Sequence, residues 1–508
     1  MKHFYKLTLL FSIFSFNSFS QKLYQPDIEA VLKKAGKNRT ELEKAIQYFQ
    51  KGKDPLKLKA VEFLIANMDI HHSANYYWQD STGTKIPFNE LDYPDYTTSQ
   101  QALDSVRKQY KKIKAKAHLY QDIDTITSGY LINNVEQAFT AWKSPYAKHL
   151  SFDDFCEYLL PYRVSVEPLE DWRGLYREKF KALTENRTSV NTERVLSAAV
   201  QNFRENFNAN LVIREEPLPR LSALQLLHRK EGACEDFADL EVLRLRSLGI
   251  PSALNVVPYW ATSSGRHFLN TAFDQENKPV IYDVGRKDKP VHATLIREPS
   301  KVLRMTYAKQ KNTLANLKNL NDIPPGFMRT QNYLDVTGDF WEVRDVTCTL
   351  NDTGDDQDIV YACVFNYLAW RPTWWARKKD NRAVFANMSK GAVYLPMYFI
   401  KGRTKPAGYP VAAGYYNEMV LKPDTSQARD ITIEQQEGYL IFRPYKKYKL
   451  FYWDNRWKLI AEQKTNVNTN ALLFNNVPQN ALLLLVPEYS QKKERPFIML
   501  ENNQRVWF

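Results

Sequence analysis

Cysteine is scarce in this sequence, which has four cysteines among its 508 residues. They are Cys156, Cys234, Cys348 and Cys363. So few cysteines exclude the disulfide-dense scaffolds that small secreted domains use in place of a large core. One disulfide remains open, between Cys348 and Cys363 on the two arms of a predicted hairpin, but two buried thiols fit the pattern equally well.

Long apolar runs are also missing beyond the N-terminus. No later segment reaches the ~18 apolar residues of a membrane-spanning helix, so we expect no transmembrane segment in the mature chain. The net charge is +13, but the basic residues are scattered among acidic ones and no nucleic-acid-binding module is recognisable. We therefore expect no nucleic-acid partner.

Residues 1–20 have the three-part layout of a secretory signal peptide. Lys2 and Lys6 lead into an apolar stretch that is too short to span a bilayer stably. Ser18 and Ser20 supply the small residues before Gln21. The sequence therefore predicts cleavage near Gln21 and a periplasmic or secreted protein.

The length requires several folding units, because domains usually hold ~100–200 residues. Apolar residues recur at helical spacing over most of 27–246, with Pro55 opening a second helix within 41–68. Arg107–Leu119 is predicted as a charged helix, and Ser151 as the cap of another. The first half of the chain is therefore expected to be mainly helical.

Short strands separated by turns dominate from Pro251 onward, and a proline-rich break near Pro325 suggests a domain boundary. Arg344–Leu350 and Asp358–Phe365 are predicted to form a hairpin. The fold class is therefore multidomain α+β. The predicted segments are 1–20 signal peptide, 21–190 helical N-terminal region, 191–325 mixed core, 326–427 β-sandwich module and 428–508 C-terminal β domain.

The strongest motif surrounds Cys234, which precedes a largely apolar helix. Gly249 favours a helix stop and Pro251 prevents continuation. Cys234 therefore lies at a helix N-terminus, where unpaired N–H groups and the helix dipole favour a thiolate nucleophile. Gly232 is expected to leave the preceding loop open, so that a substrate carbonyl can approach the sulfur.

A cysteine nucleophile needs a base and a group that orients the base. His267 starts one predicted strand and Asp283 ends the next, so the order along the chain is nucleophile, base, orienting carboxylate. Taken singly, these residue types favour structural roles, as a packed thiol, a surface imidazole and a turn carboxylate. Glu235 and Asp236 oppose the thiolate charge, so the helix dipole alone is not enough.

Taken together, these motifs resemble the core of the transglutaminase-like superfamily. The resemblance rests on Gly-x-Cys, the helix end Leu248–Pro251, the His-x-x-Asn of His267–Asn270 and the strand ending in Asp283. Upstream, Leu160–Arg163 and Asp171–Arg173 resemble a bacterial secreted subgroup of that superfamily. The resemblance implies a papain-like core, preceded by a helical region and followed by β-sandwich modules.

The resemblance also implies a Cys-His-Asp triad made of Cys234, His267 and Asp283, which works without a metal or cofactor. Acyl transfer or amide hydrolysis would then pass through a thioester on a peptide, glutamine or glycopeptide substrate. The alternative is a non-catalytic, glycan- or protein-binding envelope protein with a vestigial triad.

One departure from the family pattern lies beside the predicted base. Related cores often have Trp two residues after the histidine, where this chain has Leu269. Trp172 or Trp260 could supply an aromatic ring instead, and both are candidate substrate-binding residues together with Asn270. The second oxyanion donor is not identified by any motif.

Two further clusters have alternative interpretations. Arg163, Glu167 and Arg173 could grip a substrate, but a buried ionic network is favoured. A tryptophan cluster in the β region could form a sugar-binding platform, but packing between sheets or domains is favoured. Its members are Trp370, Trp374 and Trp375.

Overall fold

The computed structural model describes residues 24–110, 112–185, 190–209, 220–351, 357–414 and 417–508. The predicted signal peptide at 1–20 lies outside the described residues. Within these ranges, no helix combines the length and apolar character needed to cross a membrane. Helices dominate the first half and antiparallel sheets the second, which gives a multidomain α+β architecture.

The helices and strands follow in chain order. The helices are α1 Pro26–Lys34, α2 Arg39–Gly52, α3 Pro55–Ala66, α4 Tyr96–Gln109, α5 Asp122–Thr125, α6 Ser128–Trp142, α7 Phe152–Tyr158, α8 Arg173–Phe180, α9 Thr192–Asn206, α10 Ala223–Arg229, α11 Cys234–Ser247, α12 Leu314–Leu317 and α13 Thr337–Phe340. The strands are β1 His72–Gln79, β2 Lys85–Ile86, β3 Lys114–Gln121, β4 Asn208–Ala209, β5 Glu231–Gly232, β6 Ser252–Val257, β7 His267–Phe273, β8 Pro279–Tyr282, β9 Leu303–Met305, β10 Tyr333–Asp335, β11 Val343–Thr349, β12 Ile359–Asn366, β13 Ala369–Arg377, β14 Arg382–Ser389, β15 Ala392–Ile400, β16 Arg403–Pro406, β17 Val411–Ala413, β18 Glu418–Val420, β19 Asp424–Glu434, β20 Lys447–Trp453, β21 Trp457–Lys464, β22 Ala471–Gln479, β23 Leu483–Pro487, β24 Pro496–Met499 and β25 Arg505–Trp507.

The N-terminal helices pack around a core drawn from α1, α2, α3, α6 and α7. The predicted break at Pro55 is confirmed, because α3 starts there and the Asp54 carboxylate accepts N–H bonds from the first turn. The predicted cap at Ser151 is also confirmed, since its hydroxyl accepts the Asp154 N–H at 3.1 Å.

A small antiparallel sheet interrupts this helical region, with strand order β2-β1-β3. The predicted helix at Arg107–Leu119 is therefore wrong beyond its first residues. Helix α4 ends at Gln109, and Lys114 begins β3, which pairs with β1 along its whole length. Lysine and alanine alternate at the start of β3, and this period of two suits a strand rather than a helix.

The mixed core places α11 against an antiparallel sheet of strand order β10-β9-β6-β7-β8. Every residue of α11 from Asp236 to Ser247 is buried. Gly249 ends the helix with φ +77°, and a Cβ there would lie 2.3 Å from the Ser144 hydroxyl oxygen. Both the close packing after α11 and the left-handed backbone angle therefore require glycine at position 249.

The first β module packs the pair β11-β14 against a sheet of strand order β13-β12-β15-β17-β18. The predicted hairpin of Arg344–Leu350 with Asp358–Phe365 is wrong, because β11 pairs with β14 and β12 pairs with β13 and β15. β11 alternates between buried and exposed residues and β12 is a continuous apolar run up to its last residue, but neither pattern identifies the partner of the strand.

The C-terminal β module has its own core between the pair β19-β22 and the sheet β21-β20-β23-β24-β25. Its Trp453 and Ile498 also pack against the outer face of β12, which carries Cys363. Cys348 instead faces the interior of the first β module. The two cysteines therefore lie on different sides of the β12 sheet, and all four cysteines are free thiols.

The tryptophan cluster packs between units, as the favoured interpretation predicted. Trp370 makes an edge-to-face contact with Trp453 at a centroid distance of 5.4 Å. Trp375 packs against the same interface core. Trp374 lies under the buried Lys301 ammonium, whose nitrogen is 4.2 Å from the ring centroid. One face of Trp374 is thus covered by Lys301, and Trp370 and Trp375 are half-buried in the contact between the β modules.

Candidate active site

Cys234 occupies the first position of α11, directly after Ala233 and Gly232. The Asp236 carboxylate turns back to accept the Ala233 N–H at 2.9 Å, which caps the helix start. A Cβ on Gly232 would lie 2.9 Å from the Asp236 side chain. Glycine is thus needed at position 232 because the Asp236 side chain occupies the space of a Cβ. The expectation from the sequence was a different reason, an open path for the substrate.

His267 and Asp283 meet at the neighbouring ends of the paired strands β7 and β8. The His267 Nε2 lies 2.8 Å from Asp283 Oδ2, and the other carboxylate oxygen accepts the Gly285 N–H at 3.0 Å. Asp283 is only 6% exposed, so its carboxylate is fixed by these two contacts. The bond at Nε2 leaves Nδ1 of the imidazole for a second partner.

The electrostatic state of His267 depends on both of its partners. Burial disfavours the imidazolium, but hydrogen bonds to Asp283 and to Cys234 outweigh burial and raise the His267 pKa to about 9. The imidazole therefore stays protonated at neutral pH. The structure thus brings His267 and Asp283 into a hydrogen bond and places Cys234 close enough to His267 to raise its pKa.

Two arginines compensate the acidic residue next to Cys234. The Glu235 carboxylate pairs with Arg266 at 3.1 Å and accepts a contact from the Cys234 sulfur at 3.5 Å. Burial opposes ionisation of Glu235, but Arg220 and Arg266 together lower its pKa below the usual value. The negative charge of Glu235, which was expected to oppose a Cys234 thiolate, is therefore largely balanced by Arg220 and Arg266. The sequence offers one signal for Arg266 as a site residue, which is its position directly before His267. It offers no signal that relates Arg220 to the site.

Trp260 provides the aromatic neighbour of His267. Its ring stacks on the imidazole with a centroid distance of 5.7 Å and an interplanar angle of 22°. Leu269, which stands where related cores often have Trp, packs in the same apolar cluster as Trp260. An aromatic ring thus reaches the histidine from the preceding loop.

Trp172 and Asn270 lie in the interior instead. The Trp172 indole N–H donates to the Tyr162 carbonyl at 2.9 Å, and its side chain is 3% exposed. The Asn270 amide donates to the Ala238 carbonyl at 2.8 Å, which links β7 to α11. Their contacts assign both side chains to packing and leave them little surface for a substrate.

A cavity of about 500 Å³ lies between the N-terminal region and the mixed core, and Cys234, His267 and Asp283 are not among its lining residues. Phe268, Val256 and Val164 line the cavity and belong to the apolar cluster on which Cys234 packs. The Arg220 guanidinium lies 4.7 Å over the Phe268 ring at the same wall. Within the described part of the chain, no group of three or more acidic, histidine or cysteine side chains could hold a metal.

The transglutaminase-like superfamily model matches residues 181–284, a range that contains Cys234, His267 and Asp283. This segment is therefore a transglutaminase-like domain, a class that generally carries out cysteine-based acyl transfer or peptide hydrolysis. A solved transglutaminase from red sea bream is 10% identical, with a TM-score of 0.20 over 87% of this chain and 77% of that chain. A likeness this low supports no argument about function. None of the curated proteins matches this sequence.

Proposed function

We propose that this chain is an exported cysteine acyltransferase or amidase that acts through Cys234, His267 and Asp283. One observation carries the proposal. The helix-terminal Cys234 lies beside a histidine whose pKa it helps to raise, and the Nε2 of that histidine is held by a buried carboxylate. A nucleophile, base and orienting group in this arrangement are the components of covalent acyl transfer.

In the proposed reaction, His267 holds the Cys234 proton and the thiolate attacks an amide carbonyl carbon. The carbonyl electrons move to oxygen, where the backbone N–H of Cys234 at the start of α11 can stabilise the negative charge. His267 then gives its proton to the leaving nitrogen, the C–N bond breaks, and ammonia or an amine departs. The resulting thioester passes to water or to a second amine, which returns a proton to His267, while Asp283 keeps the imidazole oriented.

The acyl donor is proposed to be a peptide, a glutamine side chain or a glycopeptide, part of which occupies the cavity that Phe268 lines. The volume of about 500 Å³ falls in the usual range for ligand sites, and Phe268 belongs to the apolar cluster against which Cys234 packs. The alternative of a glycan-binding protein with a vestigial triad loses its candidate surface, because Trp370, Trp374 and Trp375 are engaged in packing.

Export belongs to the same proposal, with the periplasm or the extracellular space as the destination. Its support is the order of basic, apolar and small residues in 1–20. The proposal also includes the assignment to a bacterial secreted subgroup and the division of the chain into segments at about residues 190, 325 and 427.

Incubation with a proteome-derived peptide library and an added primary amine tests the proposed activity. Mass spectrometry of the products distinguishes deamidation, amine incorporation and peptide cleavage. We expect at least one of these reactions with the wild type and none with Cys234→Ala, because the nucleophile is lost. Cys348→Ala is the matched control, since it removes a buried thiol far from the site, and should keep the activity. Identical product spectra from wild type and Cys234→Ala would contradict the proposal.

A further inference from the structure

The loop that leads into His267 is held from outside the transglutaminase-like domain. It runs from Trp260 to Arg266 and closes on itself through the Trp260 N–H, which donates to the Gly265 carbonyl at 3.1 Å. Trp260 is the residue that stacks on His267, and Arg266 is the residue that pairs with Glu235. The loop geometry therefore influences both sides of the candidate site.

Asn366 of the first β module binds this loop with its whole side chain. Its amide nitrogen donates to the carbonyls of Trp260 at 3.1 Å, Ser263 at 2.9 Å and Gly265 at 3.1 Å. Its amide oxygen accepts the Gly265 N–H at 3.2 Å. Asn366 is 1% exposed, so these bonds are shielded from water.

The backbone around Asn366 supports this arrangement. Asn366 ends β12, and the next two residues, Tyr367 and Leu368, both adopt left-handed backbone angles, with φ of +51° and +55°. These two residues form the tight hairpin turn between β12 and β13, a two-residue turn that requires positive φ at both positions. Asn366 is therefore the last residue of β12 before this turn, at the end of the strand that contacts the loop.

Arg495 of the C-terminal β module makes a second tie. Its guanidinium donates to the Ala261 carbonyl in the loop and to the Phe365 carbonyl beside Asn366. Its Nε donates to the Phe508 carbonyl at 2.8 Å, which connects the end of the chain to the same point. Both β modules therefore contact the loop through buried, directional hydrogen bonds.

We infer that Asn366 is a positioning residue, which fixes the Trp260–Arg266 loop and through it the orientation of the His267 ring, with Arg495 as its support. The β modules are thereby part of the working site, although neither contributes a reacting group. This inference rests on the proposed function for its chemical meaning. The orientation of the His267 ring, however, can be tested without any substrate.

Titration of the His267 ring by NMR tests the positioning role. The chain has eight histidines, so ring signals of ¹³C-histidine-labelled protein can be assigned to His267 by their loss in His267→Ala. In the wild type we expect a titration midpoint of about 9. Asn366→Ala frees the loop and weakens the contacts of His267 with its two partners, so the midpoint should fall by ~1 pH unit or more.

Asn480→Ala is the matched control, because Asn480 also bridges two backbone carbonyls, of Val420 and Lys422, but away from the site. Its His267 midpoint should equal that of the wild type. Arg495→Gln removes the second tie, so it is the variant to titrate if Asn366→Ala does not fold, and it should shift the midpoint in the same direction.

An unchanged His267 midpoint in a folded Asn366→Ala or Arg495→Gln protein would overturn the positioning role. If the His267 midpoint falls in Asn366→Ala but the wild type processes no peptide, the positioning role stands and the proposed function is wrong. The two proposals can therefore fail separately.

Discussion

The His267→Ala variant is expected to lose acyl-transfer activity at pH 7 by about 100- to 10,000-fold, because general acid–base catalysis contributes that much to typical rates. Alanine removes both the group that takes the Cys234 proton and the imidazolium that stabilises the thiolate. The peptide-library assay measures the loss as the initial rate of product formation. The substitution also leaves the buried Asp283 carboxylate without its imidazolium partner, so the melting temperature should fall, and the rate is compared at a temperature where the variant is folded.

His292→Ala is the matched control for this loss. His292 also pairs with a carboxylate, with its Nε2 2.9 Å from Glu193 Oε1, but both side chains are about half exposed. Removing it should leave the rate unchanged. A His267→Ala protein that retains the wild-type rate while folding normally would exclude His267 as the base.

The Asp122→Asn variant is expected to lower the free energy of unfolding by about 3–5 kcal/mol, the usual cost of breaking a fully buried ion pair. Asp122 pairs with Arg163 at 2.6 Å, and both side chains are almost completely buried. The Asp122 carboxylate also accepts bonds from Ser73 and Tyr162. Asparagine keeps the shape but leaves the Arg163 charge uncompensated. Denaturant unfolding followed by circular dichroism measures the difference.

Glu276→Gln provides the comparison for that loss of stability. Glu276 pairs with Lys278, but both side chains are about 70% exposed, so water screens the pair. We expect no measurable change in the unfolding midpoint. Equal effects of the two substitutions would show that the Asp122–Arg163 pair does not stabilise the fold through its burial.

The parts of the site that could be predicted from the sequence depend on local patterns. The apolar helix after Cys234, with its stop at Gly249, and the strands that begin at His267 and end before Asp283 all follow from neighbouring residues. Their convergence follows because one buried helix must pack on an adjacent antiparallel sheet. Arg163, Glu167 and Arg173 are buried, as the favoured interpretation predicts. Their partners differ from that interpretation, because Arg163 pairs with Asp122 and Arg173 donates to Asn134.

The parts that could not be predicted depend on contacts between distant segments. The stack of Trp260 on His267 is set by the loop that Asn366 holds, and Asn366 lies about a hundred positions further along the chain. The partner of β11 was mistaken for β12 because strand periodicity gives the face of each residue but not the neighbouring strand. The small sheet of β1 and β3 is hard to predict because β3 has no buried residue, so its sequence carries no apolar face that marks a strand.

The central claim is that His267 keeps Cys234 reactive at neutral pH, and site-resolved alkylation tests it most directly. Iodoacetamide is added to wild type and His267→Ala from pH 5 to pH 10, and mass spectrometry gives the rate at each cysteine. We predict rapid alkylation of wild-type Cys234 at pH 7, faster than at the buried Cys156, Cys348 and Cys363, because His267 stays protonated up to about pH 9. In His267→Ala, alkylation of Cys234 at pH 7 should be much slower, because the positively charged imidazole beside the sulfur is gone. Equal alkylation rates of Cys234 in the two proteins across this pH range would contradict the account.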